Sequence, residues 1–143
     1  MKKFFLILFI PLAITAQIVI ENGIPRDTSF TTQSAFEKVL KDFPFAKKIN
    51  RDFSKEVECK KDLIFSTIGK RELNIDIFQP KNINGKPVPV LLIIHGGGWR
   101  AGNKSMEWPI AQAVASKGFV TATVEYRLSP EALYPAGIID IKN

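Results

Sequence analysis

The sequence predicts an α/β fold of one domain, on three observations. Residues 88 to 124 run strand, glycine-rich loop, helix, strand, which is a βαβ unit with parallel pairing and a right-handed crossover. Residues 72 to 78 alternate apolar and polar side chains, the period of a strand. The 143 residues are 45% hydrophobic and 24% charged, an ordinary globular composition at about one domain's length.

The elements follow in order. Met1-Lys2-Lys3 precedes an apolar run from Phe4 to Ile14 and then Thr15-Ala16-Gln17. A basic head, a short apolar stretch and a small residue at the cut predict a signal peptide over residues 1–16, hence a secreted or periplasmic protein. The run falls short of the roughly 20 residues that span a bilayer, although reading on through Ile18-Val19-Ile20 leaves an uncleaved membrane anchor as the alternative. Residues 17–60 read as an N-terminal extension, with 17 to 31 a loose opening segment. Within the extension, Ala35, Phe36, Val39 and Leu40 predict a short helix over Gln33–Asp42, stopped by Pro44. The α/β domain occupies residues 61–143. Leu63–Thr67 reads as a strand. Glu72–Phe78 sets Leu73, Ile75 and Ile77 on one face, with Glu72, Asn74 and Asp76 on the other. Val88–Ile94 is nearly all apolar, as a strand buried on both faces would be. Met106, Ile110, Ala113 and Val114 share one helical face, and Lys117-Gly118 stops that helix. Phe119–Val124 is the next strand, and Ala136–Asn143 begins a helix behind Pro135.

The net charge of +6 asks for no nucleic acid. Lys2 and Lys3 supply two of those charges. The clusters Lys47-Lys48-Arg51 and Lys60-Lys61 are interleaved with Asp52, Glu58 and Asp62, which reads as a mixed, solvated surface. A single cysteine, Cys59, excludes an internal disulfide, and with one histidine, His95, it leaves no clustered metal site.

The informative segment is His95-Gly96-Gly97-Gly98-Trp99, at the end of the apolar strand. Three glycines in a row cost conformational entropy and bury nothing, so the backbone itself is what the position needs. Amide N–H groups there can approach a ligand, and the carboxyl end of a parallel strand is where open α/β sheets bind ligands. The bland alternative is a tight strand-to-helix turn. A phosphate loop is disfavoured because Asn103 separates Gly102 from Lys104. A triad of Asp76, His95 and Ser129 is disfavoured because no Gly-x-Ser-x-Gly stands around any of the seven serines.

Three ordered motifs point further. The His95–Trp99 run resembles the oxyanion loop of α/β-hydrolase esterases and lipases, and Gly102-Asn103-Lys104-Ser105 resembles its continuation into the helix. Glu125-Tyr126-Arg127-Leu128-Ser129-Pro130-Glu131 resembles the stretch after that family's fourth strand. Tyr134-Pro135-Ala136 with Asp140 resembles the opening of its next helix. The resemblance, to secreted bacterial feruloyl-esterase-like and acetyl-esterase-like members, covers residues 60 to 143 well and the earlier part loosely. It implies the leading half of an α/β-hydrolase sheet, an incomplete three-layer sandwich, with 61–143 a partial hydrolase domain. It implies acyl transfer from a small-molecule ester to serine and then water, with no metal or organic cofactor. Gly97 and Gly98 match the oxyanion-hole positions, with His95, Gly96 and Trp99 supporting the loop. Catalytic Ser, acid and base would lie beyond Asn143, so the chain alone is expected to be inactive. Arg127 and Asp140 match structural positions. A side chain on Gly98 is expected to crowd the cradle. The rival class is a non-enzymatic secreted fragment that binds a partner through its open sheet edge.

Overall fold

The computed structural model describes residues 17–48, 52–83, 85 and 87–143; the signal peptide expected over residues 1–16 lies outside the described residues. The opening segment is more ordered than its composition suggests. β1 (Ile18–Glu21) and β2 (Ile24–Asp27) pair antiparallel as a hairpin. The turn is Asn22-Gly23, both at positive φ (52° and 79°), the two-residue turn whose twist suits a hairpin. α1 (Thr32–Asp42) begins at a reciprocal cap between Thr31 and Ser34 and buries no residue fully.

A four-stranded sheet forms the body of the chain, in the order β3 (Val57–Ile68), β4 (Arg71–Pro80), β6 (Val120–Val124), β5 (Val90–Ile94). β3 begins inside the stretch read as N-terminal extension. It pairs antiparallel with β4 and carries register shifts around Asp62 and Phe65. β4 pairs antiparallel with β6, and β6 pairs parallel with β5. This delivers the parallel βαβ unit that the sequence predicts. A short 3-10 turn (Lys104–Glu107) leads into α2 (Trp108–Ala115), and α3 (Ala136–Lys142) ends the chain.

α2 packs against β4 and β6. The face it buries is Ala111 and Ala115, not the predicted Met106–Ile110–Ala113–Val114 stripe, and Ile110 is exposed. Small side chains let the helix lie close to the sheet, above a core of Phe53, Val57 and Phe78. The polar face of β4 is therefore covered at its Asp76 end, while Glu72 on the same face is exposed. Asp76 is fully buried there beside Phe78, while Ile75 and Ile77 on the opposite face are half-buried.

The expectation for Val88–Ile94 is only partly met. The segment is a strand, but β6 lies along one edge of it and its side chains are open: Val90 is 70% exposed, and Leu91 and Leu92 are each 44% exposed. Burial on both faces needs neighbours that the described residues do not provide.

Candidate active site

The loop from His95 to Asn103 leaves the carboxyl end of β5. His95 is 3% exposed, and its ring stacks on Tyr126 with centroids 4.5 Å apart. Its Nδ1–H donates to the Gly96 carbonyl (2.8 Å), and the Tyr126 hydroxyl donates to the His95 carbonyl (2.9 Å). Burial holds the imidazole below its ordinary pKa, so it stays neutral at pH 7. His95 is thus a fixed brace at the root of the loop.

The loop turns back at once. The Gly97 carbonyl accepts from the amides of Arg100 and Ala101, both at 3.1 Å. Gly97 sits at φ 122°, and a Cβ there would lie 2.0 Å from the Ala101 carbonyl oxygen, so only glycine closes this turn. Gly98 differs. A Cβ on it meets no protein atom within 4 Å, so within the chain its φ of 61° is the constraint. Among the described residues, neither the Gly97 nor the Gly98 amide donates a hydrogen bond. A cavity of about 180 Å³ opens at Gly98, lined by Ile94, His95, Gly96, Gly98, Trp99 and Tyr126. Uncommitted N–H donors at a concave, mostly apolar site can take an anionic oxygen.

Trp99, also at positive φ (62°), leans on the Tyr126 ring at 5.2 Å, and its carbonyl accepts from the Ser129 amide (2.8 Å). Behind it, Asp140 is fully buried and takes three hydrogen bonds from Arg127: from Nε (2.9 Å), Nη2 (2.7 Å) and the backbone amide (3.0 Å). Burial opposes the charge on Asp140, and the Arg127 hydrogen bonds overcome it, so its pKa lies below the usual range. Both residues brace the loop after β6.

The rival chemistries do not assemble. Asp76 accepts from Trp108 Nε1 (2.8 Å), Lys104 Nζ (2.5 Å) and the Asp62 amide (2.8 Å), while His95 is bonded to Gly96, so Asp76, His95 and Ser129 form no triad. Lys104 is bound to two carboxylates, Asp62 and Asp76, and is not held for a phosphate.

Three quarters of the chain, with its mixed sheet, superposes on a solved esterase. Part of an α/β-hydrolase fold is present. Residues 75–143 of the hydrolase-like chain match the family model described as BD-FAE. Esterase LipC of Mycobacterium tuberculosis is 30% identical over 69 residues, which is 48% of this chain and 17% of that protein. Carboxylesterase NlhH of the same organism is 36% identical over 73 residues, 50% of this chain and 23% of that protein. Among solved structures, a bacterial heroin esterase superposes with a TM-score of 0.53 at 30% identity, covering 75% of this chain and 32% of its own. The chain therefore spans a quarter or less of these curated relatives and about a third of that structure.

Sequence reasoning missed two arrangements. Asp76 looked like a polar face residue, and its role as a buried acceptor for Trp108 and Lys104 depends on partners 32 and 28 residues away. Glu125 joins Arg26 (2.8 Å), Arg71 (2.9 Å) and the Asn74 amide (3.2 Å). Burial opposes that charge, and the two arginines hold its pKa down.

Proposed function

We propose that these residues are the front part of a secreted serine carboxylic-ester hydrolase, to which they contribute the oxyanion-binding loop. A serine elsewhere in the full-length protein attacks the ester carbonyl carbon, and the carbonyl π electrons move onto oxygen. The amides of Gly97 and Gly98 hold that oxygen, in bonds that strengthen as the negative charge develops. Collapse expels the alcohol, and water repeats the sequence to free the acid. Nucleophile, acid and base come from outside these 143 residues.

The observation that carries this reading is the glycine turn itself, with two uncommitted amides, Gly98 lining a cavity, at the carboxyl end of a parallel strand. His95 supports it by being buried, neutral and committed, and so unfit as a mobile base. The esterase names of the relatives support the reaction class. The test is a fluorophosphonate probe on the full-length protein, followed by peptide mass spectrometry. A label on a serine outside residues 1–143 is expected; a label on any of the seven serines here would overturn the assignment. No label at all, with no ester turnover, would favour the non-enzymatic reading, which the open edge of β5 supports. Export rests on the Met1–Ala16 layout, and intact mass of the exported protein tests it.

A further inference from the structure

We propose that Asp27, at the end of the N-terminal hairpin, is a positioning residue that sets the direction of the Gly98 amide through Arg100 and Ala101. The residues lie outside the matched stretch 75–143 on the hairpin side, and they meet 73 positions apart.

The chain of contacts is direct. The Asp27 side chain is 1% exposed and accepts from Arg100 Nε and from the Ser29 amide (2.9 Å). Its backbone forms a parallel β-bridge with Ala101. Arg100 and Ala101 are the two residues whose amides donate to the Gly97 carbonyl. That carbonyl and the Gly98 N–H belong to one planar trans peptide, so they point in opposite directions. Pinning the carbonyl on one side therefore aims the N–H on the other. Gly97 and Ala101 also lie close together, since a Cβ on Gly97 would meet the Ala101 carbonyl oxygen at 2.0 Å.

The hairpin has its own anchor. Arg26 and Asp27 are neighbours on β2, so their side chains leave opposite faces. Arg26 reaches Glu125 in the segment after β6 (2.8 Å), and Asp27 reaches the loop after β5. One short strand thus ties together the two loops that follow the parallel strands. Holding a donor to the transition-state geometry is what such bracing supplies, because a misplacement of about 1 Å can cost ~10²-fold in rate.

The loop half of the proposal stands on geometry alone; the catalytic half rests on the ester-hydrolase reading above. Both are tested in the full-length protein with Asp27→Asn, which keeps the size and the Ser29 acceptor but loses the charge. Hydrogen exchange at the Arg100 and Ala101 amides should quicken at least about tenfold, while β4 and β6 amides keep their protection. For ester turnover, kcat should fall about 10- to 100-fold with KM within about twofold, since the donor acts in the transition state. Arg100→Ala should give the same loss, and the double variant no more than either single one. Should Asp27→Asn loosen the whole sheet, Arg100→Ala decides, because that side chain is half exposed. Unchanged exchange at Arg100 and Ala101 would overturn the clamp. A raised KM at unchanged kcat, or opened amides at unchanged kcat, would overturn its catalytic half. A wild-type protein with no ester turnover would retire the ester-hydrolase reading instead, and the exchange result would still judge the clamp.

Discussion

β5 and β6 lie side by side in parallel register, with Leu92 against Ala122 and Ile94 against Val124. β5 reads Val-Leu-Leu-Ile-Ile, and β6 carries two threonines among its five residues. Composition alone would bury β5 first. In the structure Thr121 and Thr123 are fully buried, whereas most of β5 is open to solvent. The difference comes from neighbours. β6 has a strand on each edge and α2 across one face, and Thr121 Oγ1 meets the cost of its burial by donating to the Ala111 carbonyl (3.0 Å). Among the described residues β5 has β6 on one edge and nothing else in the sheet. Each large aliphatic side chain left out forgoes roughly 1.5–3 kcal/mol of burial. A strand so apolar is built for cover on both faces, and on our proposal the rest of a hydrolase sheet supplies it.

The largest effect should separate these two strands. Ala122→Asp puts a carboxylate into a buried position and should cost about 4–5 kcal/mol, most of the stability of a marginally stable domain. Leu92→Asp, its neighbour in register, should do the same in the full-length protein. In residues 17–143 alone it should cost under about 1 kcal/mol and raise solubility, because the strand is exposed there. Urea melts of the long chain and sedimentation of the short one check both. Equal damage in the two lengths would end the idea that β5 is covered by later sequence.

Next in size is Asp76→Ala, on the covered side of β4. It leaves the Trp108 indole, the Asp62 amide and the Lys104 ammonium without their acceptor, and removing one member of a buried charged cluster costs about 3–5 kcal/mol. A loss below 1 kcal/mol in a thermal melt would show that α2 is held by apolar packing alone.

The glycine loop gives a smaller pair of effects on stability and a larger one on rate. Gly98→Ala meets open space and should cost about 1–2 kcal/mol from its positive φ alone. Gly97→Ala must also move the Ala101 carbonyl, so it should destabilise more, and in the full-length protein it should lower kcat by about 10²–10³. Steady-state kinetics on both variants, ranked the other way, would place the donor elsewhere.

The smallest effect is that of pH. Glu125, just beyond β6, and Asp140, in α3, have folded pKa values below the ordinary range. A carboxylate depressed on folding stabilises fully above its unfolded value, about 4, and loses that contribution as pH falls through the folded value. Asp27 acts alike, with its pKa lowered to about 2, mainly by hydrogen bonds from Ser29 and then by Arg100. Tm should therefore fall between pH 4 and pH 2, and Arg127→Gln should flatten part of that slope.

Much of the fold is legible in the sequence. The alternation at Glu72–Phe78, the apolar β5, the glycine run and the β6 segment each carry a local period or composition that survives folding. α1, expected over Gln33–Asp42, begins one residue earlier. What escapes is set by contacts distant in sequence. Period two sorts Asp76 and Phe78 onto one face without saying that a helix will cover it. The Ile18–Asp27 hairpin was hidden because its turn signal, Asn22-Gly23, stood in a segment rich in loop-forming residues. The candidate site was legible down to His95–Trp99, yet the bond from Asp27 to Arg100 has no local trace. For the same reason the fate of β5 could not be read, since an apolar run states a need for cover and not who provides it.

Nitrophenyl-ester hydrolysis by residues 17–143, measured beside the full-length protein, bears most directly on the claim that this chain holds the glycine loop of an esterase and takes its attacking groups from elsewhere. The account predicts turnover by the long chain and none by the short one above a heat-killed control, because donors without a nucleophile and base have no attack to assist. Turnover by residues 17–143 themselves would contradict it.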